Sequence, residues 1–448
     1  MSGTIRLPYN LRYWGMVTMA EQVSGLGRHL VDCEIKFRRN RQTRAIYCAL
    51  RLIFPLILVG TLADFINQAW LQRSGYYYQT LHVAKWVFQL KLCRQYLGLL
   101  SAGTLGMAAI LVAFAVSFYL VAPATPVIAN RLMAGIIAII VLKTLNVNRA
   151  TVLRNHPVQW LSNSLGLSGI LVGVLVGLLV GNGYRWLINH QDAAQHPLAQ
   201  SVGGVSLWLI VLTGLGFLWL KTQTVSLTAA LLTLSRWPFQ LPQHLGALLG
   251  FGLLTGLCQW LGILGPIASV GGQSVQAAQN LTAVLDHSGW QVPHPVTLHT
   301  VFDVYAASGG PGMVLALLLA IFLVNHNVRQ RQIGWYCLIP TLGNFNAPLL
   351  VGLPVLFSPL LLVPFLLAPL VCMTLSWGCL VLHWVPAAAY PLANGTPGIL
   401  QAYLGTGGSL AALTLSVVEL ALSTAIYYPF VKWAGIAEEA VAHETTIS

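Results

Sequence analysis

A chain of 448 residues that is 56% hydrophobic, only 8% charged and of mean hydropathy +0.72 is not a soluble globular protein, in which about 25% of residues carry charge. The net charge of +12 has its simplest source in Lys and Arg retained on the cytoplasmic side of a membrane. No basic groove-reading module supports nucleic-acid binding. Composition therefore predicts an all-α polytopic membrane protein, with room for about ten spans of about 20 apolar residues each.

Residues 1–45 are polar and aromatic and end in the basic run Lys36-Phe-Arg-Arg-Asn-Arg-Gln-Thr-Arg44. Such a run beside the first apolar span marks a cytoplasmic N-terminus; it serves as a plain topology signal or as an amphipathic helix on anionic headgroups. No apolar core followed by a small-residue cleavage site occurs in the first 40 residues, so the first span itself would direct insertion. That span, 46–66, carries Arg51, Pro55 and Asp64. In 70–95, Tyr76, Tyr77, Tyr78 and Trp86 suit the membrane interface. A Gly- and Ala-rich span follows at 97–121, then a short apolar piece at 132–145. Asn146, Asn148, Arg149 and Arg154 form a second cytoplasmic patch. The span 165–188 repeats Gly166, Gly169, Gly173, Gly177 and Gly181, a spacing that packs helices closely. No GxxxxGK[ST] phosphate loop occurs.

Further spans are predicted at 205–220 and 244–268, the second with Gln259 and Trp260, separated by a short piece at 226–234 and the break Arg236-Trp-Pro238. Residues 270–310 are the longest polar stretch of the body, with His287, His294, His299 and Asp303. These histidines lack HxxxH or HExxH spacing, so no metal site is expected. The seven cysteines form no CxxC pair, which argues against a disulfide framework or zinc site, and no cofactor is implied. Gly309-Gly-Pro-Gly312 opens a short span to residue 324, and a basic loop occupies 325–331.

The stretch 341–365 is apolar at its flanks, yet Pro348, Pro354, Pro359 and Pro364 interrupt it, and Asn344 and Asn346 stand at its start. Proline breaks the helical ladder, and irregular backbone at membrane depth persists only where protein or a water-filled cavity satisfies it. A broken or re-entrant segment of this kind is where a membrane protein would hold a solute. A span to about 384, a Pro/Gly-rich segment 385–408, a last span 410–431 containing Glu419, and an acidic tail expected to be mobile complete the chain. Regular spans in the first half and broken ones in the second divide it into a terminal segment 1–45, a scaffold 46–222, a solute-binding half 223–433 and a polar tail 434–448.

Several ordered pieces resemble the membrane (IIC) component of phosphotransferase-system sugar permeases of the lactose/cellobiose/diacetylchitobiose type. Asn40-Arg-Gln-Thr-Arg-Ala-Ile46 with Phe54-Pro-Leu-Ile-Leu-Val-Gly60 is similar to the family's entry into its first helix. Gln279-Asn-Leu-Thr-Ala283, Phe302-Asp303 and Gly309–Gly312 resemble its helix and GGxG turn. Residues 343–365 resemble FNINEP-x-x-x-GLP-x-x-x-NP, residues 395–408 the last hairpin, and Tyr427-Tyr-Pro-Phe-Val-Lys432 the end of the final helix. The resemblance implies about ten transmembrane helices with re-entrant hairpins, and a homodimer through the N-terminal halves in a bacterial plasma membrane. It also implies uptake of a disaccharide that a separate cytoplasmic IIB protein phosphorylates. The chain departs from the motifs at Ala347, where the family has an acid, at Leu264, where it has a His, and at Asn394, where it has an aromatic residue. A carboxylate or an imidazole can orient or deprotonate a sugar hydroxyl; Ala347 and Leu264 can do neither.

The candidate substrate-binding residues are Asn344, Asn346, Trp260, Asp303 and Asn394. Each has a structural alternative: the amides can cap broken helices, Trp260 can be a core or interface ring, and Asp303 can bond the amides of the nearby turn. Glu419 is an ionisable group inside a span and a functional flag. Two functions remain open: a sugar permease component, or a pseudo-transporter acting as receptor, regulator or assembly partner.

Overall fold

The computed structural model describes residues 25–147, 159–189, 197–222, 244–263, 275–286, 292–324 and 327–447. These residues form helices and turns, with isolated bridge pairs at Gly75–Asn394 and Val147–Trp160. The principal helices are α1 Gly25–Arg39, α2 Arg41–Phe65, α3 Leu90–Thr104, α4 Ala108–Val121, α5 Ile128–Leu145, α6 Ile170–Asn189 and α7 Pro197–Thr222. They continue as α8 Leu245–Trp260, α9 Val275–Asp286, α10 Val314–Val324, α11 Val328–Leu342, α12 Ala347–Gly352, α13 Pro359–Val381 and α14 Leu410–Ile447. Six helical stretches are long and apolar enough to cross a membrane: Arg41–Leu71, Leu90–Val121, Ile128–Leu145, Leu167–Asn189, Pro359–Val381 and Leu410–Val441. Shorter apolar helices run over Gly204–Leu218, Leu245–Trp260 and Val314–Val324. The expected piece at 226–234, the end of the 244–268 span and Leu264 lie outside the described residues.

Buried apolar side chains gather into two cores. The smaller joins α4, α5, α6 and α7 through residues such as Ala113, Ile137, Val180 and Leu212. Here the glycine stripe of α6 packs on α4. A β-carbon at Gly173 would lie 2.5 Å from the Ala109 carbonyl oxygen, and one at Gly177 would lie 2.8 Å from Val116 Cβ. The larger core runs from α2 through the second half, and includes Ile53, Phe302, Leu317, Leu350, Phe365 and Tyr427. The first span packs on α3 and α4 of the first half and on α11 and α12 of the second, while α4 and α6 supply side chains to both cores.

Two segments never form a full span and lie inside the protein. Residues 297–318 are buried throughout, from a π-helical turn His299–Tyr305 into α10, and residues 347–358 are buried through α12 and the turn after it. The prolines sort by position. Pro348 and Pro359 occupy the first turns of α12 and α13, where a missing N–H costs nothing. Pro364 and Pro369 sit inside α13 without ending it.

Both ends of the chain are tied to this core. Glu34 of α1 is fully buried. Its Oε1 accepts from Arg38 Nε at 2.7 Å, and its Oε2 accepts from Ser358 Oγ at 3.0 Å and from Leu360 N–H at 3.2 Å. A carboxylate therefore sits on the N-terminus of α13, where the helix dipole favours it. Burial works against the Arg38 charge, but attraction to Glu34 outweighs it and holds the guanidinium above its ordinary pKa. The basic run is thus part of a docked helix, not only a charge signal. The expected mobile tail is instead the end of α14, helical to Ile447. Glu438 anchors it by accepting from Arg51 Nη2 at 2.9 Å and from Gln330 Nε2 at 3.1 Å.

Removing Glu34 would strand Arg38 in the interior. Glu34→Ala should lower stability by about 3–5 kcal/mol and Glu34→Gln by less, read as melting of the purified protein in detergent. Unchanged melting of Glu34→Ala would show that α1 is not held by this contact.

Candidate functional site

The breaks in the second half converge on one cavity of about 660 Å³. Three turns build it. The first, Ser308–Met313, follows the π-helical turn. Its Gly309, Gly310 and Gly312 have φ of 80°, 88° and 85°, a region costly for residues with a β-carbon. Space is equally decisive at Gly310, where a β-carbon would lie 2.9 Å from Asn346 Nδ2. The second turn, between α11 and α12, holds Asn344 at φ 69°, a conformation that asparagine tolerates better than most residues. The third is the segment 385–397, which returns over the cavity before α14.

Asn344 joins all three. Its Oδ1 accepts from Gly309 N–H at 2.7 Å and its Nδ2 donates to the Thr396 carbonyl at 2.9 Å. Asn346 acts alongside: its Nδ2 donates to Gln259 Oε1 and to the Pro311 carbonyl, both at 3.2 Å. Both amides also line the cavity. Asn394 stands exposed at the rim. It exchanges backbone bonds with the 74–76 loop, and its Nδ2 donates to Ser74 Oγ at 3.2 Å. The rim therefore links the third turn to the loop that follows the first span.

Asp303 lines the cavity as well, and its Oδ2 lies 3.2 Å from His299 Nδ1. Ala347 lines it at the start of α12. Trp260 is outside the lining: its Nε1 donates to the Ser358 carbonyl at 2.9 Å, and its ring leans on Phe357. The indole braces the start of α13. The aromatic ring in the wall is Phe345, which meets Phe65 edge-on at 5.6 Å.

Several lining residues were not among the substrate-binding candidates: Thr61, Asp64, Gln68, Gln259, His299 and Gln401. The signal for the first three was present. Positions 61, 64 and 68 repeat at three and four, one face of a helix, so the first span carries a polar stripe along its last turns. His299 and Asp303 are likewise an i,i+4 pair.

The described lining holds two carboxylates, Asp64 and Asp303, with the amides of Gln68, Gln259, Asn344, Asn346, Asn394 and Gln401, and no Lys or Arg. Such a wall offers many hydrogen-bond donors and acceptors but no permanently cationic side chain to balance an anion. Its volume lies within the usual range for small-molecule sites, about 300–1,000 Å³. A neutral, many-hydroxyl ligand fits it, with Phe345 as the apolar face.

The chain is also similar to known proteins. The family model for the phosphotransferase system, EIIC, matches residues 49–369. Over 154 residues the chain is 31% identical to the lichenan permease IIC component of Bacillus subtilis (strain 168), a stretch covering 34% of each protein. Over 138 residues it is 32% identical to the PTS system cellobiose-specific EIIC component of Lactococcus lactis subsp. lactis (strain IL1403), covering 31% of this chain and 28% of that one. The matched stretches thus span about a third of the length of these curated relatives. Among solved structures, the transporter ChbC, the IIC component from the N,N'-diacetylchitobiose-specific phosphotransferase system, is similar with a TM-score of 0.41 and 20% identity, over 92% of this chain and 96% of that one.

The Asn344 bridge is open to a direct check. Asn344→Ala removes both bonds and leaves a β-carbon at positive φ without a compensating amide. It should lower stability by about 2–4 kcal/mol, from two stranded backbone groups. Asn344→Asp keeps the acceptor for Gly309 N–H and should lose roughly half as much. Melting curves of the purified variants decide this, and a wild-type value for Asn344→Ala would remove the bridge from the account.

Proposed function

The chain belongs to the phosphotransferase system EIIC family, and on that premise we propose that it is a membrane sugar permease component for a β-linked disaccharide or a related glycoside. The observation that carries this reading is the cavity itself: amides and carboxylates, one aromatic ring in the wall, and no Lys or Arg among its described lining residues. The lichenan permease and the cellobiose-specific component to which the chain is similar point to the same class of ligand.

In this reading Asn344, Asn346, Asp303 and Asn394 meet sugar hydroxyls, joined by Asp64, Gln259 and Gln401. Phe345 replaces the candidate Trp260 as the aromatic contact to the sugar, because it stands in the wall and the indole does not. The finished molecule has about ten spans, sits in a bacterial plasma membrane and pairs as a homodimer through its N-terminal half. Cytoplasmic IIA and IIB proteins deliver the phosphoryl group to the bound sugar.

One observation favours a second reading. Ala347 stands in the cavity wall where the family motif has an acid, so a receptor or regulator that binds sugar without phosphorylating it is the alternative. Leu264, the other departure, lies outside the described residues.

Calorimetric titration of the purified protein with cellobiose, lactose and N,N'-diacetylchitobiose should give binding of at least one of them. Asn346→Leu should weaken it about tenfold or more, the loss expected of a stranded polar contact. No heat with any glycoside would remove the permease reading. Where sugar binds, phosphorylation of that sugar by the wild-type protein with IIB excludes the receptor. Phosphorylation gained only in Leu264→His with Ala347→Glu establishes it.

A further inference from the structure

His299 has so far entered only as a neighbour of Asp303. The ring is buried, and both residues line the cavity. Its Nδ1 lies 3.2 Å from Asp303 Oδ2, and its Nε2 lies 3.3 Å from the carbonyl oxygen of Tyr390. A carbonyl oxygen only accepts hydrogen bonds, and so does an ionised carboxylate. A neutral imidazole has a single N–H and cannot serve both. The two contacts coexist when the pair holds one proton more than a neutral ring beside a carboxylate: as imidazolium with carboxylate, or as neutral ring with protonated Asp303.

What the ring holds in place is part of the cavity. Tyr390 belongs to the segment 385–397, and Pro391, Leu392, Ala393, Asn394 and Gly395 follow it in the lining. Thr300 Oγ1 donates to the Ala388 carbonyl at 3.4 Å, one residue along from His299. Asn344 holds the far end through Thr396. The N–H groups of Ala389 and Tyr390 also donate to the Gly405 carbonyl at 3.0 and 3.1 Å, and Asn394 is bonded to residues 74 and 76; of all these ties only the His299 one involves a group that titrates near neutral pH.

The surroundings leave that proton to the pair. Of the elements packed on the π-helical turn, α8 carries Cys258, α13 carries Cys372 and Cys379, and the helical turn Gln401–Gly405 carries Tyr403. The turn itself carries Tyr305, backed by Glu419 of α14. Asp64 stands elsewhere in the cavity wall. Thiols and phenols are uncharged near neutral pH, so the carboxylates are the groups that can favour a charged ring.

We propose that His299 and Asp303 are positioning residues of the sugar site, which hold the 390–395 wall against the cavity while they keep the extra proton and release it when the proton is lost. The proposal rests on the sugar-site reading above and says how that site is closed. Loss of the proton turns one of the two contacts into acceptor facing acceptor, and that contact opens. Sugar is then held tightly at low pH and loosely at high pH.

Two measurements on the full-length protein test this. Calorimetric Kd for the bound disaccharide is followed from about pH 5.5 to about pH 9, the range across which a histidine pair titrates. In parallel, Ala393→Cys is labelled with a maleimide and read by mass spectrometry at that peptide, with rates corrected for the thiolate fraction of a free thiol. Wild-type affinity should fall about tenfold or more over the alkaline limb, and corrected labelling should rise about fivefold or more, as for a two-state wall whose population shifts. His299→Gln, whose amide donates to Tyr390 at every pH, should flatten both profiles. Asp303→Asn can donate to a neutral ring without an extra proton, so its labelling should stay slow at high pH. A wild-type labelling rate that does not change with pH would overturn the proposal, as would an Asp303→Asn wall that opens as the wild type does. If no sugar binds at any pH, the sugar reading fails, and the labelling alone decides whether the pair latches the wall.

Discussion

One amide holds the second half of this protein together. Asn344 receives the N–H of Gly309 and gives a proton to the carbonyl of Thr396, and those two groups belong to turns 87 residues apart in the chain. Helix ends leave backbone groups without partners, and in an apolar surrounding each such group is costly. A protein that breaks its helices inside a membrane must close that account within itself. Here a side chain does so, at a residue whose own backbone lies at φ 69°. The cavity exists because the three turns meet there and do not pack flush.

The same economy explains why the lining is polar but not charged in the ordinary way. Amides that tie turns together, such as Asn344 and Asn346, also present their remaining lone pairs and N–H groups to the interior. Structure and recognition are then one set of atoms. A ligand with many hydroxyls can replace water at these groups at little cost in hydrogen bonding. A phosphorylated ligand would find Asp64 and Asp303 and no described Lys or Arg. On the proposed sugar reading, such a wall favours the sugar before phosphoryl transfer over its phosphorylated product.

Much of this was legible in the order of residues. Apolar run length is a local property, and it placed the spans at 46–66, 97–121 and 165–188 within a few residues of helices that extend over Arg41–Leu71, Leu90–Val121 and Leu167–Asn189. The glycines of α6 were readable because close packing needs small residues at helical spacing, and α4 fills the space above them. Asn344 and Asn346 stood out because proline broke an apolar run beside them. Other features depend on contacts distant in sequence. The basic run read as a topology signal or a helix on the membrane surface, yet the carboxylate of Glu34 just before it caps a helix that begins 325 residues later. The acidic end of α14 read as loose, because nothing local announces that Glu438 will meet Arg51. Trp260 stood among the candidate binding residues, but its N–H finds the Ser358 carbonyl and turns the indole into a brace.

His299 is the instructive case. In sequence it is one of three histidines in a polar stretch, and the absence of metal-binding spacing made it unremarked. What matters is the backbone. A π-helical turn brings His299 and Asp303 onto one face, and such turns are rare and concentrate at functional sites. The segment that carries them is buried from residue 297 to residue 318, so an ionisable pair there is shielded from water and from salt, and its proton is set by its neighbours. The resemblance sets an acid at position 347 and an imidazole at position 264, where this chain has alanine and leucine. The structure brings an acid and an imidazole to the cavity from a different turn, in contact with each other and with the return segment 385–397. A carboxylate and a ring placed side by side share a proton rather than act separately. On the latch proposed above, the pair works as one proton-holding unit that reaches for the wall beside it, rather than as two independent groups that reach for a sugar.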